Sequence, residues 1–143
     1  MNPKFILFPV FGMFVLMSAV LLRLAYLRFT AVRNKTVSLK FFRTGQGEGE
    51  TPAMYYTSRN FVNLFEAPVL FYVVCILFYV IARFDNADVA RDTVGLAWAY
   101  VGLRVIHSAI HLTINDMNWR FGAYALSQAV LLMLWLGLFL KLV

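Results

Sequence analysis

The chain has 143 residues, 62% of them hydrophobic and only 14% charged, and its formal net charge is +6. A soluble domain averages about half apolar and about a quarter charged residues, so this composition, with a mean hydropathy of +0.72, excludes an ordinary soluble domain. Basic residues are not interleaved with aromatic ones, so no nucleic-acid partner is expected.

The apolar residues fall in four continuous runs. Each is long enough for a helix crossing a bilayer core, which takes roughly 20 residues. A membrane barrel would show alternating segments of about 10 residues instead. The expectation is an all-α integral membrane four-helix bundle, one domain over 1–143, with helices at about 5–29, 54–82, 93–113 and 119–141. The first run resembles a secretory signal, but Arg23, Tyr26 and Arg28 follow it where a small-residue cleavage site would stand. It reads as a retained span.

After the first helix comes a basic connection. Seven of the 13 Lys and Arg lie between Arg23 and Arg59. The next connection, Arg83 to Asp92, carries two arginines against three aspartates. The positive-inside rule then places the first and third loops in the cytoplasm and both termini outside. Within the first connection, TGQGEGETP (residues 44–52) reads as a solvated loop. It lacks the GK[ST] ending of a phosphate-binding loop, so no ligand is assigned to it.

The second helix starts near Pro52 and has Pro68 inside it, where a kink or weakened hydrogen bonding is expected. Its Arg59, Asn63 and Glu66 are spaced i, i+4, i+7 and form one stripe. Cys75, the single cysteine, has no disulfide partner and reads as a packed, inert thiol.

On the third helix, Arg104, His107 and His111 are spaced i, i+3, i+7. The fourth helix carries Arg120, Tyr124 and Gln128 at i, i+4, i+8. Asn118 is the expected N-cap of this last helix, and Asp116 is expected to be only solvated. Glu66 and Arg104 fall at similar depth, roughly 10 Å inside the rim residues. Opposite charges there are expected to form a structural ion pair, because an unpaired one costs at least ~2.5 kcal/mol. No carboxylate or cysteine stands at ligand spacing from the two histidines, so interhelical hydrogen bonding is expected and a metal is not.

The three stripes meet at the ends facing the cytoplasm. Singly, each residue has an ordinary explanation: Arg120 as a topological anchor, Tyr124 as an interfacial aromatic. Together they form an arginine-rich pocket suited to a small polyanion, with the N-terminus of the last helix adding partial positive charge.

RNFVNLFEAPVLF, with its R-x-x-x-N-x-x-E pattern, resembles the second-helix signature of the MAPEG family, membrane-associated proteins in eicosanoid and glutathione metabolism. The offsets from Arg104 to His107, His111, Arg120, Tyr124 and Gln128 are similar to those of the family's prostaglandin-synthase branch, in which tyrosine stands at the position of His111. The resemblance covers nearly the whole chain and implies a homotrimer with glutathione, as thiol co-substrate, bound between subunits. It implies contacts to glutathione from Arg59, Asn63, Glu66, His107, His111 and Gln128. Arg33 is implied as the first-helix contact, with Arg28 as the alternative.

Arg120 matches the family's thiol-activating arginine, and Tyr124 would assist it. The second substrate would be a lipophilic electrophile or peroxide arriving from the membrane. Val62 and Phe121 depart from the eukaryotic pattern, as does the early position of Pro68, so the resemblance is to a bacterial-type member in the inner membrane. A glutathione-dependent transferase or peroxidase is the leading expectation. A non-catalytic lipid- or partner-binding protein of the same fold is the alternative. A transporter is the third, and the wholly apolar outer halves of helices two and four count against it.

Overall fold

A computed structural model describes residues 1–44 and 49–143. A 3₁₀ turn, Pro3–Ile6, leads into α1 (Leu7–Arg33). Then come a short α2 (Leu39–Thr44), α3 (Pro52–Phe84), α4 (Arg91–Leu112) and α5 (Met117–Leu142). Four of these helices are long and apolar enough to cross a membrane. The all-α four-span architecture expected from the sequence is therefore present. It gains one element, α2, which is too short and too basic for a hydropathy pattern to reveal.

The helix ends have local causes. Thr51 caps α3 by accepting a hydrogen bond from the Met54 amide at 3.4 Å, with Pro52 at the first helical position. α1 closes with the amides of Lys35 and Thr36 donating back to the carbonyls of Val32 and Ala31. This pairing places Lys35 in the left-handed region at φ 58°. α5 is capped by Asp116, whose carboxylate accepts from the Trp119 amide at 3.0 Å. The cap is thus two residues earlier than the expected Asn118, and Asp116 is not merely solvated. A carboxylate suits this end because the α5 dipole is positive there.

α4 packs most extensively against α5, and α1 against α3. The buried positions of α3, from Met54 and Thr57 through Leu64, Pro68 and Phe71 to Phe78 and Ala82, recur every three or four residues. That spacing turns one stripe of the helix toward the bundle. At its centre Phe71 stacks on Tyr100 of α4, with ring centroids 4.4 Å apart. Cys75 is fully buried nearby in the same core. α1 approaches α4 at Gly12, where a Cβ would lie 3.1 Å from the Trp98 ring. Outward, α1 and α5 present Phe11, Leu22, Phe29, Leu136 and Leu140, all exposed. These apolar faces fit a lipid surround, not water. The protein is an integral membrane protein.

Within the TGQGEGETP loop, residues 45–48 lie outside the described part. Of the remainder, Thr44 ends α2, Glu50 pairs with Arg28 at 3.4 Å and Thr51 is the α3 cap. With Pro52 as the first residue of α3, four residues of this loop serve structure.

Candidate functional site

The C-terminal turns of α4, the N-terminal turns of α5 and the first half of α3 converge at the end of the bundle carrying the first and third loops. Two cavities open there. One, of about 330 Å³, is lined by Tyr55, Tyr56, Arg59, Asn63, His111, Asn115 and Arg120. The other, of about 230 Å³, is lined by Asn63, Glu66, His107, Met117, Arg120, Phe121 and Tyr124. Asn63 and Arg120 belong to both, so the cavities are two lobes of one cleft divided by these side chains.

Arg120 is held from two sides. Its Nη1 donates to Asn115 Oδ1 at 2.6 Å, and its backbone carbonyl accepts from His107 Nδ1 at 3.0 Å. A carbonyl can only accept, so Nδ1 of His107 carries a proton. Asn115 itself sits at φ 48° in the turn between α4 and α5. Asparagine tolerates that left-handed backbone better than most residues. The turn therefore aims an amide oxygen at the guanidinium, and the α5 cap fixes the helix that carries it.

Tyr124 follows one turn after Arg120. Its ring lies 5.9 Å from that of His107, and Arg104 Cζ stands 5.7 Å from its centroid. Two neighbours thus orient the ring, which remains 37% exposed and lines the smaller lobe. His107 and His111, both buried, have ring centroids 5.9 Å apart.

The expected ion pair between Glu66 and Arg104 is not formed. Among the described residues the ion pairs are Arg28–Glu50 and the amino terminus with Asp88. Arg104 is fully buried, and its Nη2 donates at 2.7 Å to the backbone carbonyl of Asn63. The Asn63 carbonyl, one turn before Pro68 in α3, is the acceptor that Arg104 reaches from α4. Glu66 is instead exposed and lines the smaller lobe.

Of the residues singled out from the sequence, Arg59, Asn63, Glu66, His107, His111, Arg120 and Tyr124 are brought together. Arg33 and Gln128 line neither lobe. Arg33 is exposed at the last turn of α1, and Gln128 is half-buried one turn beyond Tyr124. Arg28, the alternative first-helix arginine, is engaged with Glu50 and with the Phe42 ring 5.7 Å away.

The sequence does not single out Asn115, Tyr55 or Tyr56, which also line the larger lobe. Only the left-handed turn gives Asn115 its position, and no helical spacing signals that. Nor does the sequence single out a second polar set, the buried Thr57, Asn60 and Ser108, which the exposed Arg23 joins from α1. Ser108 donates to Asn60 Oδ1 at 3.3 Å, and Arg23 Nε donates to Thr57 Oγ1 at 3.4 Å.

Chemically, the cleft presents two guanidinium groups, two amides, two imidazoles, tyrosine hydroxyls and one carboxylate. This set fits a small zwitterion with more negative than positive charge. No curated protein and no solved structure matches the chain. The family profile of MAPEG matches residues 6–140, which takes in all but the outermost residues of the four membrane-crossing helices and every residue of the cleft. With its four-span bundle and its R-x-x-x-N-x-x-E stripe on one wall of a polar cleft, the chain belongs to the MAPEG family.

Proposed function

We propose that the protein is a glutathione-dependent transferase or peroxidase of the membrane, with the cleft between α3, α4 and α5 as its thiol site. The observation that carries this reading is the convergence of Arg59, Asn63, Glu66, Arg120 and Tyr124 on one cleft. Glutathione has two carboxylates, one ammonium group and a thiol. Arg59 and Arg120 answer negative charge, Glu66 answers the ammonium, and Asn63 supplies an amide between them.

A free thiol ionises near about pH 8.5 and is mostly protonated at neutral pH, whereas the thiolate is the nucleophile. The Arg120 guanidinium stabilises the thiolate and the Tyr124 hydroxyl donates to it. With an aryl halide, the thiolate forms a carbon–sulfur bond, and the halide leaves with the electron pair of the broken bond. The thiol proton goes to solvent. The protein therefore needs no reactive cysteine of its own, in keeping with the burial of Cys75.

The working form is a homotrimer in the bacterial inner membrane, with the first and third loops cytoplasmic. Glu66 supports the oligomer. It lies within a membrane-crossing helix yet is exposed in the single chain, next to exposed Phe65 and Val69. A carboxylate cannot face lipid at that level without a cost of a few kcal/mol, so a second copy covers this face. Arg33, which lines neither lobe in its own chain, is then available to a neighbour's cleft. The second substrate is a lipophilic electrophile or peroxide that enters from the bilayer.

Glutathione-dependent conjugation of a generic aryl halide by the purified protein tests the reading. Arg120→Ala should lower kcat/KM by about a hundredfold or more, the scale for losing one charge-stabilising donor. Tyr124→Phe should lower it about tenfold, since only an assisting hydroxyl is lost. Glutathione binding with no turnover would move the protein to the non-catalytic alternative, and no binding at all would sink both.

A further inference from the structure

The longest uncompensated run of positive charge lies outside the cleft. No Asp or Glu occurs before Glu48. Arg33, Lys35, Lys40 and Arg43 are all exposed around the turn joining α1 to α2, and none of them is in an ion pair among the described residues. α2 is held to the bundle from inside. Val37 is buried against Ala31 of α1 and Met54 of α3, with Phe41 packed on the same cluster. Leu39 remains 68% exposed and Phe42 37% exposed.

A groove of about 420 Å³ runs between the last turn of α1 and the start of α2, lined by Val32, Lys35, Val37, Ser38 and Leu39. It is apolar on its walls and carries one ammonium and one hydroxyl. Phe29, one turn before Arg33, is exposed in the apolar belt of α1. At 1.5 Å per residue, Arg33 stands roughly 6 Å beyond it along the helix. The groove and α2 are therefore at the level where acyl chains give way to headgroups.

We propose that α2 and this groove form a site for an anionic phospholipid, its phosphate at Lys35 and Ser38 and its chain along Val32 and Leu39. Lys40 and Arg43 supply the surrounding positive charge that selects an anionic headgroup over a zwitterionic one. Lys35, Lys40 and Arg43, none of them in an ion pair among the described residues and all near exposed Leu39 and Phe42, have the complementarity of an interfacial anchor to an anionic membrane surface. The cleft and its residues play no part in it.

The test is lipid retention by the purified full-length protein in detergent. Phosphatidylglycerol and phosphatidylcholine of identical chains are offered in equal amounts and read by native mass spectrometry. Wild type should retain phosphatidylglycerol with a preference of roughly tenfold or more. The triple variant Lys35→Gln/Lys40→Gln/Arg43→Gln should bring the preference to near parity. Lys141→Gln, at the far end of α5, should leave it unchanged. All of these side chains are exposed, so the variants should fold, which an unchanged thermal unfolding curve checks. Equal retention of both lipids by wild type overturns the proposal and leaves the patch to an acidic protein segment. So does a preference that survives in the triple variant, or one that millimolar inorganic phosphate abolishes. Because retention is independent of turnover, failure here leaves the thiol site untouched.

Discussion

Arg104 and Glu66 illustrate how a residue's environment departs from its spacing. Helical depth put the two at one level, but the buried guanidinium found backbone oxygen on α3 before it found a carboxylate. The consequence is measurable as a difference between the two single variants. Arg104→Ala empties a fully buried volume and strips the Asn63 carbonyl of its donor, and should cost about 2–4 kcal/mol. Glu66→Gln keeps the side chain's size and breaks no ion pair within the chain, so it should change stability by less than about 0.5 kcal/mol. Thermal unfolding in detergent reads both. Equal losses in the two variants, with the double variant no worse than either, would restore the ion pair that the structure lacks.

At this scale the sequence was legible where charge and depth conflict. Arg59, Asn63, Glu66, Arg120 and Tyr124 stand out because lipid penalises them. Asn115, Tyr55 and Tyr56 do not, since a loop amide and interfacial tyrosines cost nothing at a membrane surface. Asn115 is placed by the turn from α4 to α5, and Tyr55 and Tyr56 by how the first turn of α3 packs beside it.

The elements were legible to the extent that hydropathy dictates them. Four apolar runs became four spans, while α2, held by Val37 and Phe41, needed tertiary contacts to exist at all. Helix ends were less legible because the capping choice is local. Asp116 and Asn118 are both good caps in sequence, and the dipole together with the α4–α5 turn selects the carboxylate. Asp116→Ala should cost about 1 kcal/mol, whereas Asn118→Ala should cost only a few tenths. Because Arg120 lies in the turn that Asp116 caps, the first variant should also raise KM for glutathione while leaving kcat within about twofold. A kcat loss matching that of Arg120→Ala would place Asp116 in the chemistry and not in the scaffold.

For the whole molecule, the proposed homotrimer would cover the exposed Glu66 carboxylate and offer the exposed Arg33 to a neighbour's cleft. Light scattering in detergent, corrected for bound detergent, should give three chains of 16.4 kDa each per particle. A single chain would remove the cover over Glu66 and the shared cleft with it. Such an assembly cannot be read from one chain's periodicity, since lipid-facing and copy-facing apolar surfaces have the same composition.

The central claim is that the cleft turns glutathione into a bound thiolate at Arg120. Titrating the purified protein with glutathione while following thiolate ultraviolet absorbance tests it without assuming any second substrate. Wild type should show a saturable thiolate signal at neutral pH that Arg120→Ala abolishes and Lys141→Gln leaves intact. Saturable glutathione binding with no thiolate signal, or a signal that survives in Arg120→Ala, would contradict it.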